Sequence, residues 1–245
     1  MSRTRLILAG LLGVIVVAVV ASASATEPPK KCGGKVTATP TYCVEGLQLE
    51  NSKGEPTSAK IEGTDGVSFL KATVASVTSE VECKSGKSTG SIKDGASGTV
   101  GNSKVLNTLE GCKLLKPTNC KLTASNESKL ETAELKGELG LIGTRIEDKL
   151  APPESGFAII GIEGKESSCV IAEVGRPKSF EVIGSQICEI DKANAEAETE
   201  ATTHKLVCKA SGGSLRIGEN KAEMTSESTT IKLVSGKKWS IKEST

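Results

Sequence analysis

The sequence predicts an all-β chain. It reads as an antiparallel β-sandwich, with a flattened β-barrel as the alternative, stapled by disulfides. Three observations carry this reading. Several segments alternate apolar and polar residues with period two, turn signals of Gly, Ser, Lys and Asp recur about every ten residues, and no segment has a secure helical pattern. Eight cysteines supply the staples.

The elements follow in order. Arg3 and Arg5 precede an uninterrupted apolar run, LILAGLLGVIVVAVV, and then the small residues ASASA. That order is a secretory signal peptide over residues 1–25, with cleavage expected after Ala25, or alternatively after Ala23. Residues 6–25 are also about long enough to span a bilayer if left uncleaved. Residues 26–45 form an N-terminal cysteine-containing segment, and 46–245 a single β domain. In 77–84, Val77, Ser79, Val81 and Cys83 share one face while Thr78, Glu80, Glu82 and Lys84 take the other. KSGKSTG, KDGASG and KASGG read as loops. Residues 130–141, LETAELKGELGL, alternate like a strand but contain good helix formers; Gly137 and Gly140 favour strand. APPES at 151–155 breaks the chain, as a long surface loop or a domain boundary.

GFAIIGI at 156–162 predicts a central strand covered on both faces. SFEVIGSQICEI at 179–190 is strand-like, with Gly184 marking a bulge or a close backbone approach. Residues 191–202 are acidic, without large apolar groups, and read as a solvated loop or one exposed helical turn. Two last runs, 229–233 and 238–242, flank Ser235-Gly236 and predict a C-terminal hairpin.

Charge excludes some partners. Without residues 1–25, which carry two arginines and no acid, the remaining basic residues nearly balance the 30 acids. A near-neutral chain gives no electrostatic basis for binding nucleic acid or anionic lipid. No membrane span is expected after cleavage, and the expected partner is an unspecified extracellular or cell-envelope one. All eight cysteines, Cys32, Cys43, Cys83, Cys112, Cys120, Cys169, Cys188 and Cys208, follow the signal segment. An even count in an exported chain predicts disulfides, and eight cysteines allow 105 pairings.

The succession VECKSGKSTGSI, LEGCKL with Cys120 after it, LETAELKGELG, GFAIIGIEGKESSC and EVIGSQI resembles a large family of uncharacterised secreted proteins of actinobacteria. The likeness spans about residues 55–240. It implies export and a β-rich fold, and carries no catalytic residue, since that family has no established activity. It places Cys83, Cys112, Cys120 and Cys169 at family positions and leaves Cys32, Cys43, Cys188 and Cys208 as additions. That split implies pairing within each set, expected as Cys32–Cys43, Cys83–Cys169, Cys112–Cys120 and Cys188–Cys208.

Candidate chemistry is sparse. His204, the sole histidine, shares a strand face with Leu206 and Cys208, as a satisfied or surface histidine or as a general base. Gly86-Lys87-Ser88-Thr89-Gly90 has the letters of a nucleophile elbow, but no helical pattern follows to hold the serine, so a hairpin loop is expected. The thirty acids leave a carboxylate pair conceivable. No cofactor or metal is expected: there is no C-x-x-C, glycine-rich phosphate loop or calcium loop. Asn126-Glu127-Ser128 fits an N-glycosylation acceptor, here mainly a surface-loop signal. The sequence therefore predicts a non-enzymatic exported structural or interaction protein. A small-ligand or glycan-binding module, built around a patch gathering Trp239, Tyr42 or Phe69, is the alternative. A carboxylate-dependent hydrolase is the third reading.

Overall fold

The computed structural model describes residues 32–33, 36, 38–45, 58–74, 76–94, 100–143, 145–154, 156–190, 198–209 and 213–244; the side chains of 32, 33 and 244 and the whole of residues 1–25, the expected signal peptide, lie outside the described residues. Strand accounts for 68% and helix for 3% of them, so the all-β class holds.

Along the chain come β1 (Cys32–Gly33), β2 (Pro40–Val44), β3 (Ser58–Asp65) and β4 (Ser68–Val74). A long ribbon follows, β5 (Val77–Lys93) and β6 (Asn102–Lys116). Next are β7 (Cys120–Leu122), the single turn α1 (Ala124–Ser128), β8 (Lys129–Glu131), β9 (Leu135–Ile142) and β10 (Arg145–Ala151). β11 (Ala158–Gly164), β12 (Lys178–Ile183), β13 (Gln186–Ile190) and β14 (Thr203–Cys208) precede β15 (Arg216–Ile217), β16 (Asn220–Ser226), β17 (Thr229–Leu233) and β18 (Trp239–Ser244).

The ribbon is the spine of two lobes. Pairing runs β5–β3–β17–β14–β13–β10–β9–β6 and returns to β5, which closes an eight-stranded antiparallel barrel. Closure realises the barrel alternative over two separate sandwich sheets, and it removes the edges that a sandwich leaves open. From the other half of β5 the sheet continues through β4, β16, β15, β12, β11 and β7. This second lobe curls back on the ribbon through β8, which pairs with β6, and a bridge between Thr132 and Ala158. The chain alternates between lobes, and APPES is the loop from barrel strand β10 to second-lobe strand β11. Gly184 lies at the return from β12 to β13, and a Cβ there would stand 2.3 Å from the Ser214 carbonyl oxygen. The close approach read at that glycine is therefore present, and 179–190 is two strands meeting at a corner.

Three other expectations change. Residues 84–90 are not a loop but the middle of β5. The alternation slips there: Ser79, Val81 and Cys83 are buried, Lys84 and Ser85 are exposed, then Gly86, Ser88 and Ile92 are buried. β6 slips at the same level, between Leu109 and Cys112, across Gly111 at φ +62, a conformation that favours glycine. Odd-numbered β5 residues thus enter one lobe and even-numbered ones the other. The C-terminal hairpin does not form either. β17 pairs with β14 and β3, whereas β18 turns away and pairs with β2 and β1 in a separate three-stranded sheet. This end sheet lies over the barrel and buries Trp239, Ile241 and Tyr42 almost completely. The third change concerns β11: Ile159 is 60% exposed, so only part of that strand is covered on both faces.

Three disulfides have both side chains among the described residues: Cys83–Cys112, Cys120–Cys169 and Cys188–Cys208. The last was expected. The first two replace Cys83–Cys169 and Cys112–Cys120, because ribbon register sets Cys83 directly opposite Cys112. Cys43 is also disulfide-bonded, and the expected Cys32–Cys43 pair lies outside the described residues.

Candidate functional site

The barrel interior gathers polar side chains that strand alternation would otherwise keep wet. On β10, Ile146, Asp148 and Leu150 point inward together, so a carboxylate is carried on an apolar face. Asp148 Oδ2 accepts the Ser103 hydroxyl of β6 at 3.0 Å and the Tyr42 hydroxyl of β2 at 3.3 Å. Among the described residues, no hydrogen-bond partner reaches Oδ1. Room for the carboxylate comes from Gly137 of β9, where a Cβ would stand 1.9 Å from Ser103 Oγ and 2.5 Å from Asp148 Oδ1.

Burial raises the Asp148 carboxyl from the ordinary carboxylate range to about 6, although the Ser103 and Tyr42 hydroxyls and the Glu138 main-chain amide favour the charged form. Burial, followed by the neighbouring Asp148 charge, pushes the Tyr42 hydroxyl well above its usual range.

A second polar cluster sits where the lobes meet. Ser88 Oγ donates to Asn107 Oδ1 at 2.8 Å and lies 3.3 Å from Asp65 Oδ2. Burial raises the Asp65 carboxyl, against the Thr229 and Ser88 hydroxyls. A Cβ on Gly86 would stand 2.7 Å from Asp65 Oδ2, so the first glycine of the elbow-like run makes space for a carboxylate. Ser88 therefore occupies a barrel strand, with no helix after it, and lacks the strained turn that an elbow requires.

His204 is 3% exposed. Its Nε2 bonds the Trp239 carbonyl at 2.8 Å and its ring meets the indole edge-on, with centroids 4.2 Å apart. Tyr42 and Trp239 stand 6.0 Å apart, but both face the barrel and are buried. Phe69 lies in the second lobe, so the three aromatics form no common surface. Asn126 is on α1 and accepts the Gly161 amide at 2.6 Å, which ties that turn to β11.

A cavity of about 40 Å³ lies inside the barrel, touched by Tyr42, Ser88, Asn107, Asp148, His204 and Trp239 among aliphatic side chains. A single water needs about 10–15 Å³, and an apolar cavity that takes benzene measures about 150 Å³. The space therefore suits a few waters. No group of three or more His, Cys, Asp or Glu side chains able to hold a metal ion occurs among the described residues. The cysteines with described side chains are all in disulfides.

Sequence reasoning located His204 on its correct face but missed Asp148. Its signal was present in RIEDKLA, where an acid occupies the middle of an Ile-x-Asp-x-Leu alternation. No family model matches this chain, and no curated protein or solved structure matches it.

Proposed function

We propose that this chain is an exported, non-enzymatic structural or interaction protein of the extracellular space or cell surface. The observation that carries the reading is the barrel interior. Tyr42 and Ser103 bond to Asp148, Ser88 to Asn107 and His204 to the main chain, around a cavity of about 40 Å³. Disulfides fit an oxidising compartment. The basic, apolar, small-residue order of residues 1–25 and the resemblance to secreted actinobacterial proteins point the same way. Outside, cross-strand pairs such as Lys71–Glu80 and Lys113–Glu82 mark the wet faces of the strands.

The second reading, a small-ligand-binding module, draws on Tyr42 and Trp239 lining that cavity. It requires the barrel to open, because the space is smaller than a single aromatic ring needs.

The test assays the parent, His204→Ala and Asp148→Asn against ester, peptide and glycan substrates. No turnover above buffer is the expected result for all three. An activity in the parent that either variant loses, with circular dichroism unchanged, would overturn the reading.

A further inference from the structure

The end sheet sets its two aromatic residues on two ionisable residues of the barrel interior. Tyr42 of β2 reaches Asp148 of β10, and the Trp239 carbonyl of β18 takes the His204 ring nitrogen of β14. Main-chain bonds join the sheet to the start of β6 at Gly101–Pro40 and to the segment before β14 through the reciprocal pair Ala201–Trp239. At its rim Lys242 pairs with Glu200 at 3.7 Å and the Val36 N–H donates to Glu198 Oε1 at 3.0 Å, while Trp239 and Ile241 are buried beneath it. When ionised, Asp148 has the Ser103 and Tyr42 hydroxyls on Oδ2 and support from the Glu138 main-chain amide, too little to offset its burial in a space covered by the sheet. Lifting the sheet would hydrate that charge, and the neutral carboxyl has far less to gain from water.

We infer that the end sheet is a pH-sensitive lid on the barrel, latched by the Tyr42–Asp148 contact, held shut when Asp148 is protonated and loosened when it ionises. The other groups facing Asp148 support this assignment. β6 and β9 present Ser103 and Gly137, and the opposing Cys188 of β13 is locked in a disulfide. Tyr42 and His204 line the same cavity, and Lys205 touches it from an exposed position. Glu147 is next along β10 and points to the other face.

Burial holds the Asp148 carboxyl at about 6. A raised carboxyl favours the closed state most at acid pH, and the advantage is lost as pH rises through that value. With the opened carboxyl at an ordinary ~3.9, the opening constant rises about tenfold between pH 5 and pH 7.

Hydrogen exchange of the whole chain at pH 5, 6 and 7, expressed as protection factors, tests the lid. Amides of β2 and β18 should be less protected than those of β9 and β10, depend little on denaturant, and lose about tenfold protection from pH 5 to pH 7. Asp148→Asn should abolish that loss. Tyr42→Phe, which keeps the ring, should lower end-sheet protection already at pH 5, and it decides alone if Asp148→Asn does not fold. Trp239, the single tryptophan, should report the same opening by its quenching. End-sheet amides that match β9 and β10 in protection and pH dependence would overturn the lid. So would a pH dependence that survives Asp148→Asn and disappears in His204→Gln.

Discussion

The two lobes share one β-ribbon but fill their interiors differently. The barrel buries Asp148, Ser103, Ser88 and His204 beside its aliphatic core. The second lobe closes over Phe157, Leu130, Val182 and Met224, and its cavity of about 20 Å³ is lined by no ionisable side chain. The difference follows from how each lobe is held. The barrel is a continuous ring of hydrogen-bonded strands, and such a ring tolerates buried polar groups because its strands stay paired around them. The second lobe is completed by the short pairing of β8 with β6, the Thr132–Ala158 bridge and the Ala133 N–H bond to the Phe157 carbonyl, and it carries both Cys120–Cys169 and Cys83–Cys112. Covalent restraint and apolar burial there replace the closed ladder.

That comparison is sharpened first by the disulfides. Replacing Cys120 and Cys169 together by alanine removes a closed loop of 49 residues. In the chain-entropy model this costs about 4 kcal/mol. Cys188–Cys208 spans 20 residues on the barrel and should cost about 3 kcal/mol. Urea unfolding of both double variants ranks them, and a larger loss at the barrel bridge would reverse the assignment of covalent support to the second lobe.

The next effect is steric. Gly137→Ala forces a methyl against Ser103 and Asp148, so it should cost about 1–3 kcal/mol as an overpacked site. Gly140→Ala, three residues along the same strand, meets open space and is the control. Equal thermal shifts in the two would show that Gly137 is not holding space for the carboxylate. The smallest effect belongs to the surface. Lys104→Ala breaks an exposed pair with Glu134 at 3.0 Å and should change stability by less than about 0.5 kcal/mol.

Much of the barrel wall was legible in the sequence, and its closure was not. β9 could be read because Leu135, Gly137 and Leu139 alternate cleanly with Lys136 and Glu138. Residues 84–90 could not, because the alternation slips as the ribbon passes from one interior to the other, and Gly86 and Gly90 imitate loop chemistry. Glycine occurs there because a Cβ on Gly90 would lie 1.8 Å from the Lys104 carbonyl oxygen. Disulfide partners depend on register, which sets Cys83 against Cys112 and leaves no trace in spacing. The C-terminal hairpin misled for a related reason: Trp239 and Ile241 find their apolar contact over the barrel end, on a strand paired with β2. For the interior site, His204 was visible as a lone imidazole on an apolar face. Asp148 was hidden among thirty acids that mostly mark wet faces.

The central contrast, a barrel cavity lined by ionisable side chains against a second-lobe cavity lined by none, rests most directly on the Asp148 carboxyl. Its folded value near 6 lies above that of an unfolded carboxylate. The stability it lends is therefore complete below about pH 4 and is lost as pH rises through 6. The decisive measurement is the difference in unfolding free energy between Asp148→Asn and the parent, taken from pH 3.5 to pH 7.5. Asp65 titrates in both proteins and cancels. The difference should shift in favour of Asp148→Asn by about 3 kcal/mol over that range. A difference that stays constant with pH would contradict a charged, buried carboxylate in the barrel.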